Sequence, residues 1–280
     1  MMILLFPNKS KPDFQEVCEE ILEFFARHSV TVVAEDAEAS ELGCEMLSNV
    51  ENSEIDFILT LGGDGTILKI YHEYADIEAP ILGINLGQLG FMADVPIPDL
   101  FPSLDDLLKG EYTVEERTVL RGESNRGEES FAVNDIVFHR ARNPSLIELS
   151  IHIDDVYLTN FKADGVIIAT PNGSTAYSLA AGGPIISPML DALVITPISA
   201  HTISNRPIVL PTNSNLSIEY LSTNEPIEII SDGLKTFELE KNEQYRVSKS
   251  ARKFKLVNLH RRDYFSTLRS KLGWAGKLNI

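Results

Sequence analysis

The chain has few basic residues for its size. It carries 24 Lys and Arg against 41 Asp and Glu, a formal net charge of −17 over 280 residues. That balance disfavours a general nucleic-acid surface, which needs a basic face. Cysteine is scarcer still. Cys18 and Cys44 are the only two, and they give neither a disulfide framework nor metal-ligand spacing. Long apolar runs are missing as well, since no stretch reaches transmembrane length without a charge. The short apolar start, residues 2–6, lacks a basic lead and ends at Pro7, so it does not read as a secretory signal. Cytoplasm is the expected location. The remaining composition, 44% hydrophobic and 23% charged, suits a globular chain with cores for two modest domains.

One stretch organises the rest. Residues 55–61, apolar and β-prone apart from Asp56, read as a buried strand. They run into Gly62-Gly63-Asp64-Gly65, after which Thr66 begins a helical pattern with Ile67, Leu68, Ile70, Tyr71 and Tyr74. Strand, glycine turn and helix point backbone N–H groups and a helix N-terminus at an anion. Asp64 is the odd residue there, because a carboxylate repels a bare phosphate at close range. It faces a metal ion, a hydroxyl, or away from the ligand. A hydroxyl is the attractive partner, since a carboxylate takes its proton as it attacks a phosphoryl group. The competing reading is a tight turn in which Asp64 only caps the helix.

The first half alternates strands and helices. Residues 2–6, 30–34, 55–61 and 81–85 read as strands and 14–25 as a helix, with Asp13 as candidate N-cap. Such alternation implies a parallel α/β sheet, whose ligands gather at the strands' carboxyl ends. The turns 62–65 and 85–90 both fall at such ends. After about Gly110 the texture changes to short β-prone runs, among them 113–120, 130–140, 146–153, 165–170 and 254–259, separated by turn residues. The expected fold is therefore an α/β N-terminal domain, a parallel sheet with helices, over residues 1–112. An all-β, sandwich-like C-terminal domain follows over 113–261. The tail turns basic, from Arg246 to Lys277, and reads as docking on the chain's own acidic domain.

Two further constellations carry polar chemistry. In the run 161–184, residues 166–169 form a strand, Pro171-Asn172-Gly173 a turn, and Ser174 and Thr175 are candidate N-caps of a short helix through Ala181. Tyr177 offers a ring face to a base and a hydroxyl to a phosphate or sugar. Lys162 and Asp164 sit just before the strand. Asn134 and Asp135, at the start of another strand, suit two ribose hydroxyls or a base edge, although Asn-Asp alone is also an ordinary turn. His201 reads as a structural histidine rather than a catalytic one.

Gly62-Gly63-Asp64-Gly65, the run 83–91, Val133-Asn134-Asp135, Asp164-Gly165, the run 170–177, Gly182-Gly183-Pro184 and the run 201–207 occur in this order. Together with the closing run 263–274 they resemble the NAD kinase family, over most of the chain from Ile55 onward. The glycine-aspartate element is shared with lipid kinases and phosphofructokinases; the run 170–177 is far more specific. The resemblance implies phosphoryl transfer from ATP to the adenosine ribose 2′-hydroxyl of NAD, giving NADP. It implies a divalent cation, commonly Mg²⁺, with the triphosphate, and a homo-oligomer, dimer or tetramer, without nucleic-acid or membrane partners. Asp64 becomes the general base. Gly65, Lys69, Asn85 and Phe91 belong to the nucleotide site. Asn134 and Asp135 hold the adenosine ribose and base region. Lys162, Ala163 and Asp164 lie near the nicotinamide half, across a subunit contact. Thr175, Ala176, Tyr177 and Ser178 bracket the adenine, and Ala180 belongs to the same corner. The last segment, 262–280, returns to the first domain.

Three residues depart from the family pattern. Ala180 stands where serine is common, Leu234 where glutamine is common, and Asn172 where threonine is usual, a change that reads as mild. Two alternatives stay open: a lipid-kinase-like relative, and a dinucleotide-binding regulator that kept the fold and lost the chemistry.

Overall fold

The computed structural model describes residues 1–201, 205–222 and 225–274. The chain opens with β1 (Met2–Pro7), α1 (Phe14–Arg27), β2 (Thr31–Ala34), α2 (Asp36–Leu42), β3 (Glu45–Met46) and β4 (Phe57–Gly62). Then come α3 (Asp64–Glu73), β5 (Ile81–Asn85), β6 (Val95–Pro96), α4 (Leu100–Lys109) and β7 (Thr113–Arg117). Strands then dominate: β8 (Leu120–Ser124), β9 (Glu129–Ala132), β10 (Asp135–His139), β11 (Ile147–Ile153), β12 (Val156–Ala163) and β13 (Gly165–Ala169). A short α5 (Tyr177–Ala180) precedes β14 (Ala192–Ile198), β15 (Ile208–Pro211), β16 (Leu216–Tyr220), β17 (Ile227–Ser231), β18 (Lys235–Leu239) and β19 (Gln244–Lys249). The last elements are β20 (Phe254–Asn258) and α6 (Tyr264–Leu272).

These elements form two compact units, Met1–Glu116 with the chain from Lys255 on, and Arg117–Phe254. The first unit is built on one sheet of order β3-β2-β1-β4-β5-β20-β7, with β6 beside β5. The pairs from β3 through β5 are parallel. Strands β4 and β5 are buried at every residue, as a parallel sheet covered on both faces requires. One face packs Ile3, Leu5, Leu59 and Leu82 against Val17, Ile21 and Phe25 of α1 and Leu104 and Leu107 of α4. Each such side chain contributes roughly 1.5–3 kcal/mol on burial. The chain winds outward from β1 through β3, then returns to place β4 on the other side of β1. The carboxyl ends of β1 and β4 are therefore the switch point where such sheets bind ligands.

Strands β7 and β20 differ from expectation. Residues 113–120 and 254–259 read as parts of the β-rich domain, yet β20 pairs with β5 and β7 flanks it in the first sheet. That pairing joins segments more than a hundred residues apart, which no local pattern encodes. The basic tail meets acids of the same unit: Arg261 lies 2.6 Å from Asp106 and Arg262 3.6 Å from Asp99. Lys277 lies outside the described residues.

The second unit holds two six-stranded antiparallel sheets, β15-β14-β13-β10-β17-β18 and β12-β11-β16-β19-β8-β9. Their facing side chains form one core, with Phe138, Ile168, Ile195 and Ile229 from the first and Leu149, Ile151, Ile218 and Tyr245 from the second. This is the expected sandwich. The other face of the first sheet is also apolar, with Val137, Ile167, Ala169 and Val194 packed under Ile186. Burial on both faces explains why β13 reads as an unbroken apolar run.

Two local expectations shift. The helix after β4 starts at Asp64, not Thr66, with Gly63 as an extended N-cap that leaves no side-chain signal. Ser174 and Thr175 do not cap a helix. Residues Gly173–Thr175 form a 3₁₀ turn, and α5 starts separately at Tyr177. The Ser174 hydroxyl instead donates to the Pro171 carbonyl at 2.6 Å.

Candidate functional site

The first unit presents a carboxylate at its switch point. Strand β4 is stopped by Gly62 and Gly63, and Asp64 becomes the first residue of α3. A carboxylate there is favoured by the helix dipole. Its side chain does not cap α3. It accepts three consecutive backbone N–H bonds, from Phe91 to Oδ2 at 2.8 Å and from Met92 and Ala93 to Oδ1 at 3.0 and 2.9 Å. The loop after β5 is thereby strapped across the start of α3. Asn85, 4% exposed, holds the same loop from below. Its Nδ2 donates to the carbonyls of Gln88 and Ala93 at 2.7 and 3.0 Å, and its Oδ1 accepts from Gly87 at 2.7 Å. Asn85 thus spends its amide on the loop itself. Phe91 packs its ring 6.0 Å from that of Tyr264, the first residue of α6.

A cavity of about 310 Å³ opens at the first turns of α3, lined by Gly65, Thr66 and Lys69 and by Asn8, Lys9, Ser10, Glu35 and Glu38. It lies at the carboxyl ends of β1 and β2 and the N-terminus of α3, where backbone N–H groups are unsatisfied within the helix. Both cations are paired: Lys69 lies 3.6 Å from Glu73, and Lys9 3.0 Å from Glu38. Residues 8–10 escaped the sequence reading. Their signal was a polar run directly after a buried strand. Among the described residues no group of three or more His, Cys, Asp or Glu is placed to hold a metal ion.

The second unit holds a cavity of about 450 Å³ on the outer face of its first sheet. Asn134, Asp135, Ala176 and Tyr177, all singled out from sequence, line it together with Val137, His139, Ile230, Asp232 and Gly233. Its volume and largely apolar walls with a few polar groups suit a nucleoside-sized ligand. Tyr177 is 43% exposed, so its ring is available for stacking. The segment before β10 is fixed by a second aspartate clamp. Asp232, at positive φ in the turn after β17, accepts from the backbone of Val133, Asn134 and Asp135 at 2.8, 2.7 and 3.1 Å. Burial, with the Asp232 charge behind it, pushes the Asp135 carboxyl up to about 7. Asp232 lies in a Ser-Asp-Gly turn sequence, which carries no sign of the clamp without the fold.

The remaining candidates do not line that cavity. Ser178 is buried, its hydroxyl 2.8 Å from that of Thr196, so it braces the corner from behind. The Thr175 hydroxyl donates to the Asn172 carbonyl at 3.1 Å. Ala180 ends α5 and is exposed. Lys162, exposed on β12, lies 3.4 Å from Glu148, Ala163 is buried, and Asp164 lies 2.7 Å from Arg140. The backbone N–H of His201 donates to the Lys162 carbonyl at 3.0 Å. Residues 202–204 of the run that follows lie outside the described residues.

Residues 3–112 match the ATP-NAD kinase N-terminal domain and residues 133–259 the ATP-NAD kinase C-terminal domain. The chain is 52% identical over 279 residues to a protein named NAD kinase from Protochlamydia amoebophila, covering 100% of both chains. It is 38% identical to a protein of the same name from Geotalea daltonii, covering 97% of this chain and 98% of the other. Among solved structures, yeast NADH kinase complexed with NADH is similar at TM-score 0.88 and 27% identity, over 100% of this chain and 89% of that one. An NAD kinase from Archaeoglobus fulgidus in complex with ATP shares the fold at TM-score 0.77 and 24% identity, over 99% and 100% of the two chains. The two matched domains and the full-length similarity show that the chain belongs to the NAD kinase family.

Proposed function

We propose that this protein transfers the terminal phosphoryl group of ATP to the 2′-hydroxyl of the adenosine ribose of NAD, giving NADP. The observation that carries the reading is the setting of Asp64. Oδ1 accepts two N–H bonds and Oδ2 one, so Oδ2 keeps a lone pair for a hydroxyl proton. Asp64 accepts that proton as the ribose oxygen attacks. The N-terminus of α3 and Lys69 orient the triphosphate in the adjoining cavity. Transfer is direct and in line, with no phosphoenzyme. The divalent cation arrives bound to the triphosphate as part of the substrate.

The cavity of the second unit takes the adenosine part of NAD in this reading. Tyr177 stacks on the base, and Asn134 and Asp135 meet its edge or the ribose. Lys162, Ala163 and Asp164, outside that cavity, serve the nicotinamide half in a homo-oligomer, with Ala163 acting through its backbone. Asn85 and Ser178 act by positioning rather than by contact. A cytoplasmic location belongs to the same reading, because both substrates are charged, water-soluble nucleotides. The described helices include none long and apolar enough to cross a membrane.

The test is NADP formation by the purified protein supplied with NAD, ATP and Mg²⁺. NADP is the expected product. A folded protein that binds NAD without turning it over is instead a dinucleotide-binding regulator.

A further inference from the structure

Three side chains of the second unit form a line that ends at the nucleotide cavity. The Arg117 guanidinium donates from Nη1 to Asn172 Oδ1 at 2.6 Å, and Asn172 Nδ2 donates to Asn134 Oδ1 at 2.7 Å. Asn172 is 8% exposed, and Asn134 lines the cavity. The backbone of Asn134 is held separately by Asp232, and Thr170 donates its N–H to the Asn134 carbonyl at 2.8 Å. Gly173 adds a steric lock, since a Cβ there would lie 2.7 Å from Asn134 Cα.

The line has a direction set by chemistry. A carboxamide can turn by 180° and exchange its donor for its acceptor, so its orientation follows from its partners. Arginine has donors and no acceptor. It therefore fixes Asn172 with the oxygen toward Arg117, which leaves the Asn172 NH₂ facing Asn134. That in turn fixes the Asn134 oxygen inward. No described residue accepts from Asn134 Nδ2, so that NH₂ remains for a ligand.

We infer that Arg117 and Asn172 are positioning residues that set the polarity of Asn134, so that the cavity offers an N–H donor and selects a nucleotide atom that accepts. The inference rests on the reading that Asn134 contacts NAD. Asn172, a mild replacement by the sequence pattern, becomes the switch of this relay. Its carboxylate isostere would accept from Arg117 and also from Asn134, turning the Asn134 oxygen toward the ligand.

The experiment is NAD titration by calorimetry on the full chain, using Asn134→Ala, Asn172→Asp and the double variant, with thermal melts to verify folding. Removing one ligand hydrogen bond is expected to weaken NAD binding about tenfold in each single variant. The double variant is expected to be no weaker than Asn134→Ala alone, because Asn172 acts only through Asn134. Additive losses overturn the relay, as does an unchanged affinity in Asn172→Asp beside a weakened Asn134→Ala. Unchanged affinity in Asn134→Ala overturns the cavity reading instead. If Asn172→Asp does not fold, Arg117→Gln replaces it, since its amide both donates and accepts and releases the orientation. The same coupling to Asn134→Ala is expected, and additivity again contradicts the inference.

Discussion

Gly90 and the Asp64 carboxylate occupy one space. A Cβ on Gly90 would lie 2.6 Å from Asp64 Cγ and nearer still to Oδ1. The strap that donates three N–H bonds to Asp64 can close only because residue 90 has no side chain. Gly90→Ala must therefore push the carboxylate aside or open the loop. Turnover is expected to fall at least about a hundredfold, because misplacing a reacting group by about 1 Å costs on that order. The melting temperature should fall by only a few degrees, as strain of about 1–3 kcal/mol allows. Steady-state rates and a thermal melt check this. Near-normal turnover would mean that the geometry of the clamp does not matter to the chemistry.

Under the proposed function Tyr177 stacks on the base of NAD in the cavity of the second unit, which it lines. Because it is 43% exposed, Tyr177→Ala should leave stability nearly unchanged. Loss of a base–aromatic stack is worth about 1–3 kcal/mol, so NAD should bind about tenfold or more weakly. A direct binding titration decides it, and equal affinities would reduce Tyr177 to packing.

Asp135 gives the fold a pH dependence of known sign. Its carboxyl is raised from 3.8 to about 7, first by burial and then by Asp232. The folded chain thus holds this proton more tightly than the unfolded chain. Stability falls as pH rises from about 4 to about 7 and is level above that. The gap corresponds to at most about 4 kcal/mol. Asp135→Asn removes this contribution, so the variant should gain on the wild type between pH 5 and pH 8. Urea unfolding at the two pH values measures the gain, and an equal difference at both would remove the assignment.

What the sequence revealed follows from which interactions are local. Strand β4 was legible because a parallel strand buried on both faces reads as a near-continuous apolar run, interrupted here only by Thr60. The carboxyl-end placement of Asp64 followed from the strand–glycine–helix order. Helix α3 starts two residues before the position its pattern suggests, because glycine caps without a side chain. The two aspartate clamps were hidden for a different reason. Asp64 meets residues 91–93 and Asp232 meets residues 133–135, and nothing in either local pattern announces the partner. The family resemblance puts Ser178 around the adenine. The turn of α5 sends it inward to Thr196 instead. Asn172 looked like a mild replacement, yet it bridges Arg117 and Asn134, a link visible only once three distant segments are folded together.

The role of Asp64 as proton acceptor is tested by comparing NADP formation by the wild type and by Asp64→Asn, with NAD affinity measured on both. The amide cannot take the ribose proton, and its NH₂ would face backbone N–H donors in the strap. Turnover is expected to be lost while NAD still binds through the cavity of the second unit. Turnover equal to the wild type would contradict this role, leaving Asp64 as a structural clamp and the proton to another acceptor.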